Sequence, residues 1–147
     1  MLVITGSPLP LEPATLAGLE RDTLPLTWEE RRWTRKRVRS TAGREVALAL
    51  PTGSLLRPGD VIAREASWCL VVEGRPEPVL AVFPRDFQEA IRIAFSVGNR
   101  HFSLALEGES ILVPDDTAME QLLTRLGVAW KRQEAVYDPL GDAPHRH

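Results

Sequence analysis

Residues 87–106, FQEAIRIAFSVGNRHFSLAL, decide the fold because they change from a helical to a strand period within a few residues. The first half predicts an amphipathic helix, since apolar or small residues recur there at steps of three and four and so share one face: Phe87, Ala90, Ile91, Ala94, Phe95 and Gly98. Gly98 and Asn99 tolerate the left-handed conformation in which helices end, so we expect the helix to stop there. The alternating residues 102–106 then predict a strand that begins beside His101.

This helix and strand belong to a longer alternating pattern that begins after residue 78. We predict strand 79–83, helix 86–97, strands 102–106 and 111–113, helix 117–126 and strand 128–137. A capping box from Thr117 to Glu120 opens the second helix, and Gly127 ends it. The order βαββαβ is that of a ferredoxin-like domain.

The chain before residue 78 has a different pattern, with short apolar runs separated by glycine and proline. Such runs predict an all-β unit, either a small sandwich or a barrel, in which Thr27 and Glu30 can open one helical turn. Arg75-Pro76-Glu77-Pro78 is the expected joint. We therefore predict an α+β protein with a β-rich partner-docking domain at 1–77, a ferredoxin-like metal-binding and dimerisation domain at 78–140, and a flexible tail at 141–147.

Composition limits the functional classes. Of 147 residues, 44% are hydrophobic and 26% charged, and no apolar run reaches the ~18 residues of a membrane span. The single cysteine, Cys69, excludes an internal disulfide, and no secretory leader is recognisable at the start. We expect a cytoplasmic protein with no membrane partner. The net charge of −2 gives no general attraction to nucleic acid.

One segment departs from this balance, because six basic residues lie between Arg31 and Arg39. Strand alternation would place Arg35, Arg37 and Arg39 on one face, where they fit phosphates or an acidic protein surface. A solvated strand face balanced by nearby glutamates explains the same pattern. A nucleic-acid or protein-binding module acting through Arg31–Arg39 therefore stays as the alternative function.

Histidine supplies the other candidate site. His101 is the one histidine away from the C-terminus, while His145 and His147 lie in the tail. Imidazole suits nickel, copper and zinc. Three nitrogens are few for nickel, but a two-fold dimer would double every ligand. A hydrolase or transferase with His101 as general base is disfavoured, because neither a nucleophile elbow nor a phosphate-binding glycine loop is present, so we expect no enzyme.

The run Ala94-Phe95-Ser96-Val97-Gly98-Asn99-Arg100-His101 resembles the signature of the UreE family of urease accessory proteins. Further matches to this family occur, in order, at residues 26–31, 50–53, 56–61, 116 and 123–127, so the resemblance covers about residues 20–140. The resemblance implies a homodimeric nickel chaperone in which two copies of His101 hold one Ni(II) at the dimer centre. It also implies that His145 and His147 complete the site. From the chemistry of imidazole, Zn(II) and Cu(II) are other ions for the same site. The implied partners are the urease accessory GTPase UreG and the apo-urease accessory complex.

The chain departs from the family pattern near the site. Ser96 stands where many members have a histidine, and Asp115 and Thr117 flank Asp116 where some members have further histidines. A long polyhistidine tail is also absent from this sequence. We therefore expect about one strongly bound ion per dimer.

Overall fold

The fold was obtained as a computed structural model, which describes residues 1–6, 9 and 16–140. The chain divides into two compact units, with the boundary between Arg75 and Pro76. The first consists mainly of strands and the second mixes strands and helices, so the predicted α+β class is confirmed. The predicted tail, residues 141–147, lies outside the described residues. Among those that are described, no helix has the length and apolar character needed to cross a membrane.

The first unit contains two small sheets around one core. Within the described residues, the strand order is β1-β4-β3 in one sheet and β2-β6-β5 in the other. The elements are β1 (Leu2–Ile4), β2 (Glu20–Leu26), α1 (Trp28–Arg31), β3 (Arg35–Arg39), β4 (Glu45–Ala49), β5 (Val61–Arg64) and β6 (Trp68–Gly74). Residues from both sheets, such as Leu24 and Val46, are almost fully buried in this core. Of the two predicted architectures, a small sandwich or a barrel, the structure has the sandwich, and the predicted capping box between Thr27 and Glu30 is confirmed.

A buried carboxylate on β2 ties this strand to the turn between β3 and β4. Asp22 is 3% exposed and accepts hydrogen bonds from Ser40 Oγ at 2.6 Å and from the Arg44 guanidinium at 2.8 Å. The backbone amides of Thr23 and Ala42 also donate to it. Burial acts to raise the pKa of Asp22, but these hydrogen bonds outweigh it and the pKa lies below its usual value.

The second unit is ferredoxin-like, as predicted. The described strands form one sheet in the order β10-β7-β9-β8, with antiparallel neighbours throughout. The two helices contribute Ile93, Val97 and Met119 to a core shared with the sheet. The elements are β7 (Pro76–Phe83), α2 (Phe87–Asn99), β8 (Ala105–Glu107), β9 (Ser110–Pro114), α3 (Thr117–Leu126) and β10 (Ala129–Val136).

The start of β7 and the cap of α3 differ from the predicted ones for local reasons. Strand β7 begins at Pro76, three residues earlier than predicted. Residues 76–78 pair with β10 alone, so no backbone N–H is needed there for a strand on the opposite side, and prolines are tolerated. Helix α3 is capped by Asp116, whose side chain accepts from the amide of Ala118 at 2.7 Å, so Thr117 is the first helical residue and not the cap. Gly127 ends α3 in the left-handed conformation, as predicted.

Candidate metal site

His101 lies at the C-terminus of α2, but the helix ends differently from the prediction. Gly98 and Asn99 are still helical, and Arg100 is the C-terminal cap. The left-handed residue is His101 itself, with φ of 64°, and it is the one non-glycine residue with positive φ among those described. The helix therefore ends at Asn99, close to the expected place, but the expectation that Gly98 or Asn99 adopts the left-handed conformation is wrong.

The hydrogen bonds explain why the chain turns at His101. The amide of His101 donates to Gly98 O at 2.9 Å, and the amide of Phe102 donates to Val97 O at 3.3 Å. This pair of bonds is a Schellman motif, in which the left-handed position is usually glycine. An L-residue costs on the order of 1 kcal/mol there. His101 is thus held in a strained, defined turn.

The strand that follows begins later than predicted, at Ala105 instead of Phe102. His101 is therefore not at a strand end: it directly follows the C-terminal cap of α2, and three irregular residues separate it from β8. The side chain is exposed, and it makes no hydrogen bond or ion pair with any residue that the structure describes. Its ring nitrogens are consequently open to an external ligand.

Other potential metal ligands are sparse nearby. Over residues 1–6, 9 and 16–140, no group of three or more histidine, cysteine or acidic side chains is placed to hold an ion. His145 and His147 lie outside these residues. Ser96, on the last turns of α2, accepts a hydrogen bond at its carbonyl oxygen from Arg100 at 3.3 Å. The described part of one chain therefore brings a single imidazole to this site.

Helix α2 has two apolar faces, and only one of them packs on the sheet. Ile93 and Val97 are fully buried in the core. Three residues of the face that the sequence singled out are exposed: Phe87 by 80%, Ile91 by 54% and Phe95 by 73%. They follow one another at four-residue steps, so they form one stripe along the helix that ends at His101. We call these three residues the α2 stripe.

The chain after β10 runs back beside the segment that follows His101. Ser103 Oγ and Tyr137 Oη are 2.7 Å apart in a hydrogen bond, and the amide of Leu140 donates to Leu104 O at 2.7 Å. Tyr137 is 2% exposed, and burial raises its pKa to about 12. Sequence reasoning missed this contact, because neither residue has a spacing that reveals a pairing across 34 positions. The root of the C-terminal tail is therefore fixed a few residues from His101.

The three arginines proposed from the sequence lie on β3, as predicted, with their side chains exposed. Arg35, Arg37 and Arg39 stand opposite Ala49, Ala47 and Glu45 of β4, so they share one face of the sheet. Arg39 pairs with Glu45 at 3.1 Å. They are in the first unit, whereas His101 is in the second.

Fold and site together define a class: a two-unit α+β protein with a β-rich first unit and a ferredoxin-like second unit that presents an exposed histidine on a strained turn. The comparisons with known proteins specify the family. A family model described as "UreE urease accessory protein, N-terminal domain" matches residues 10–73, and one described as "UreE urease accessory protein, C-terminal domain" matches residues 77–147. The chain belongs to the UreE family of urease accessory proteins, as its sequence resemblance indicated.

Individual relatives agree over most of the chain. A urease accessory protein UreE of Synechococcus sp. (strain JA-3-3Ab) is 36% identical over 84% of this chain and 83% of its own length. The protein of the same name from Deinococcus radiodurans is 41% identical over 75% of this chain and 71% of its own. The one from Nostoc sp. is 32% identical over 85% and 86% respectively. The chain is accordingly a urease accessory protein and not an enzyme.

Proposed function

We propose that this protein is a nickel chaperone that binds one Ni(II) between two subunits through His101 and delivers it for assembly of the urease active site. The observation that carries the proposal is an exposed imidazole without a described partner, held in a strained turn at the end of a helix with an exposed apolar stripe. Strain that persists in a fold is typical of functional positions.

The α2 stripe supports a homodimer. Three large apolar side chains on one helix face are costly to leave in water and mark an interaction surface. The stripe spans nine residues, or about 12 Å of helix from Phe87 to Phe95, and Phe95 is six residues from His101. If a two-fold axis passes near the helix C-terminus, the two stripes bury each other and the two His101 side chains face the same ion.

Gly98 fits the same arrangement. Glycine inside a helix costs about 1 kcal/mol relative to alanine. A Cβ added at Gly98 would meet nothing within 4 Å in one chain, and its φ is not one that requires glycine. Its small size is therefore unexplained by its own subunit and suits close approach of a second copy.

The tail can supply further ligands. Leu140 is hydrogen-bonded to Leu104, which is three residues from His101. An extended chain covers about 3.5 Å per residue, so His145 lies within about 17 Å of Leu140 and His147 within about 25 Å. His101 is at most about 10 Å from Leu104 along the chain. We propose that His145 and His147 close over the ion.

A site made of two His101 imidazoles and completed by histidines of the tail suits temporary binding. A neutral imidazole nitrogen coordinates Ni(II), Zn(II) or Cu(II), so zinc and copper compete with nickel for this site. Protonation of the imidazoles releases the metal. We propose that the protein works in the cytoplasm and hands nickel to the GTPase UreG and, through it, to the apo-urease accessory complex.

Calorimetric titration with Ni(II) tests the proposal. We expect about one nickel per two chains, loss of this binding in His101→Ala, and weaker binding in a chain that ends at residue 140. Asn99→Ala is the matched control, because Asn99 is exposed and only two residues away. Unchanged nickel binding in His101→Ala would refute the proposed site.

A further inference from the structure

The first unit has an exposed sheet face with its own charge pattern. On the sheet β1-β4-β3, Val38, Val46 and Leu48 point into the core. The alternate residues therefore point outward. Strand β3 contributes Arg35, Arg37 and Arg39 to this outer face. We call these three residues the arginine row.

The arginine row has little charge compensation from its own chain. Of its members, only Arg39 has an ion pair among the described residues, with Glu45 at 3.1 Å and with both side chains about 60% exposed. Opposite Arg35 and Arg37 stand Ala49 and Ala47, which carry no charge. The face is thus cationic on a chain whose net charge is −2. An ion pair as exposed as that of Arg39 with Glu45 is weak in water, so it is easily exchanged.

Strand β3 is also at the edge of its sheet within the described part of the chain, with β4 as its neighbour. An edge strand offers unpaired backbone groups to an added strand. A second copy of β3 is disfavoured, because like charges directly opposite each other are destabilising. An added strand with carboxylates at every second position avoids this repulsion, and its spacing of about 6.8 Å matches that of the arginine row.

We propose that β3 binds an extended acidic segment of a partner protein, which joins the sheet as an additional strand and places alternate carboxylates against Arg35, Arg37 and Arg39. Nucleic acid is a poorer fit. Binding of single strands relies on aromatic side chains that stack on bases. The described outward residues beside the arginine row are Val3, Glu45, Ala47 and Ala49, none of which is aromatic.

Fluorescence anisotropy with the metal-free full chain tests this proposal. The probe is a labelled peptide EVEVEVE, and the comparison probes are EEEEVVV, EVEVEVE with all of its backbone amides N-methylated, and a single-stranded oligo(dT). The first variant is Arg37→Glu. Arg21→Glu is its matched control, because Arg21 is an exposed arginine on β2, which is also an edge strand among the described residues. Arg35→Glu serves if Arg37→Glu does not fold.

We expect EVEVEVE to bind at least tenfold more tightly than EEEEVVV or the N-methylated peptide, and to lose at least tenfold in affinity with Arg37→Glu but less than twofold with Arg21→Glu. Higher salt should weaken binding. Equal affinity for the alternating and the block peptide, or tighter binding of oligo(dT), would overturn the proposal. Because no metal is present, either result leaves the proposed nickel site untouched.

Discussion

At the scale of the residue, His101 combines two roles that favour different amino acids. The helix end favours glycine, since His101 has φ of 64° in a Schellman motif. The proposed metal site needs an imidazole. A sequence pattern reveals the histidine and the neighbouring helix, but it placed the left-handed residue at Gly98 or Asn99. Residue preference alone cannot decide which residue adopts the left-handed conformation. That choice also depends on tertiary packing, because the last turn of the helix is anchored by Val97, which is fully buried in the core.

Replacing His101 by glycine separates these roles. We predict that His101→Gly raises the free energy of unfolding by about 1 kcal/mol, because the left-handed strain is relieved, while nickel binding is lost. His101→Ala should lose nickel binding without this gain, since alanine has the same strain. Urea unfolding of the metal-free proteins measures the difference. A His101→Gly protein no more stable than His101→Ala would argue against strain at this turn.

Asp22 gives a prediction for acid stability. Its pKa is lowered in the folded protein, so its contribution to stability is present above the usual carboxyl value of 3.8 and is lost as the pH falls through the still lower folded value. We predict that Asp22→Asn costs about 2–3 kcal/mol at neutral pH. The difference from the unsubstituted protein should shrink below pH 3.8. Thermal unfolding at several pH values measures this, and a difference independent of pH would contradict it.

At the scale of the element, helix α2 shows how far periodicity can be trusted. Spacing found the helix and grouped Phe87, Ile91 and Phe95 correctly on one face, but it cannot tell which of two apolar faces meets the sheet. The core uses Ile93 and Val97, and the grouped face is exposed. Periodicity therefore predicts a face, and only the packing shows that this face is available to a second molecule.

The α2 stripe leads to a prediction about assembly. We expect Phe95→Asp to convert the proposed dimer to a monomer, because two charges would be buried without partners at the proposed interface. Folding should be retained, since Phe95 is 73% exposed in one chain. Sedimentation velocity measures the change. Gln121→Asp, an exposed position on α3, should stay dimeric, and a dimeric Phe95→Asp protein would exclude this interface.

The contact at the tail root makes a second prediction at this scale. Tyr137 is the single tyrosine, so absorbance near the phenolate band reports on it alone. With the pKa of Tyr137 raised to about 12, the folded protein should show no ionisation of this residue near pH 10, where a free tyrosine titrates.

Tyr137→Phe removes the hydrogen bond to Ser103. We expect it to weaken nickel binding in the full chain, but not in a chain ending at residue 140. An equal effect in both chains would refute a role through the tail.

At the scale of the whole molecule, the sequence predicted the two units and their fold classes well. Alternating runs, turn residues and the βαββαβ order are local signals, and they were sufficient for the architecture. The proposed site is harder to predict, because its ligands come from a turn, a tail and a second subunit. Such groups are far apart in sequence, and no spacing within one chain records their meeting.

Native mass spectrometry of the protein loaded with nickel tests the central claim most directly, because it counts subunits and ions in the same particle. The account predicts a dimer with one strongly bound Ni(II), and a metal-free dimer for His101→Ala under the same conditions. One nickel on each monomer, or a dimer of His101→Ala that still holds its ion, would contradict a site shared between two copies of His101.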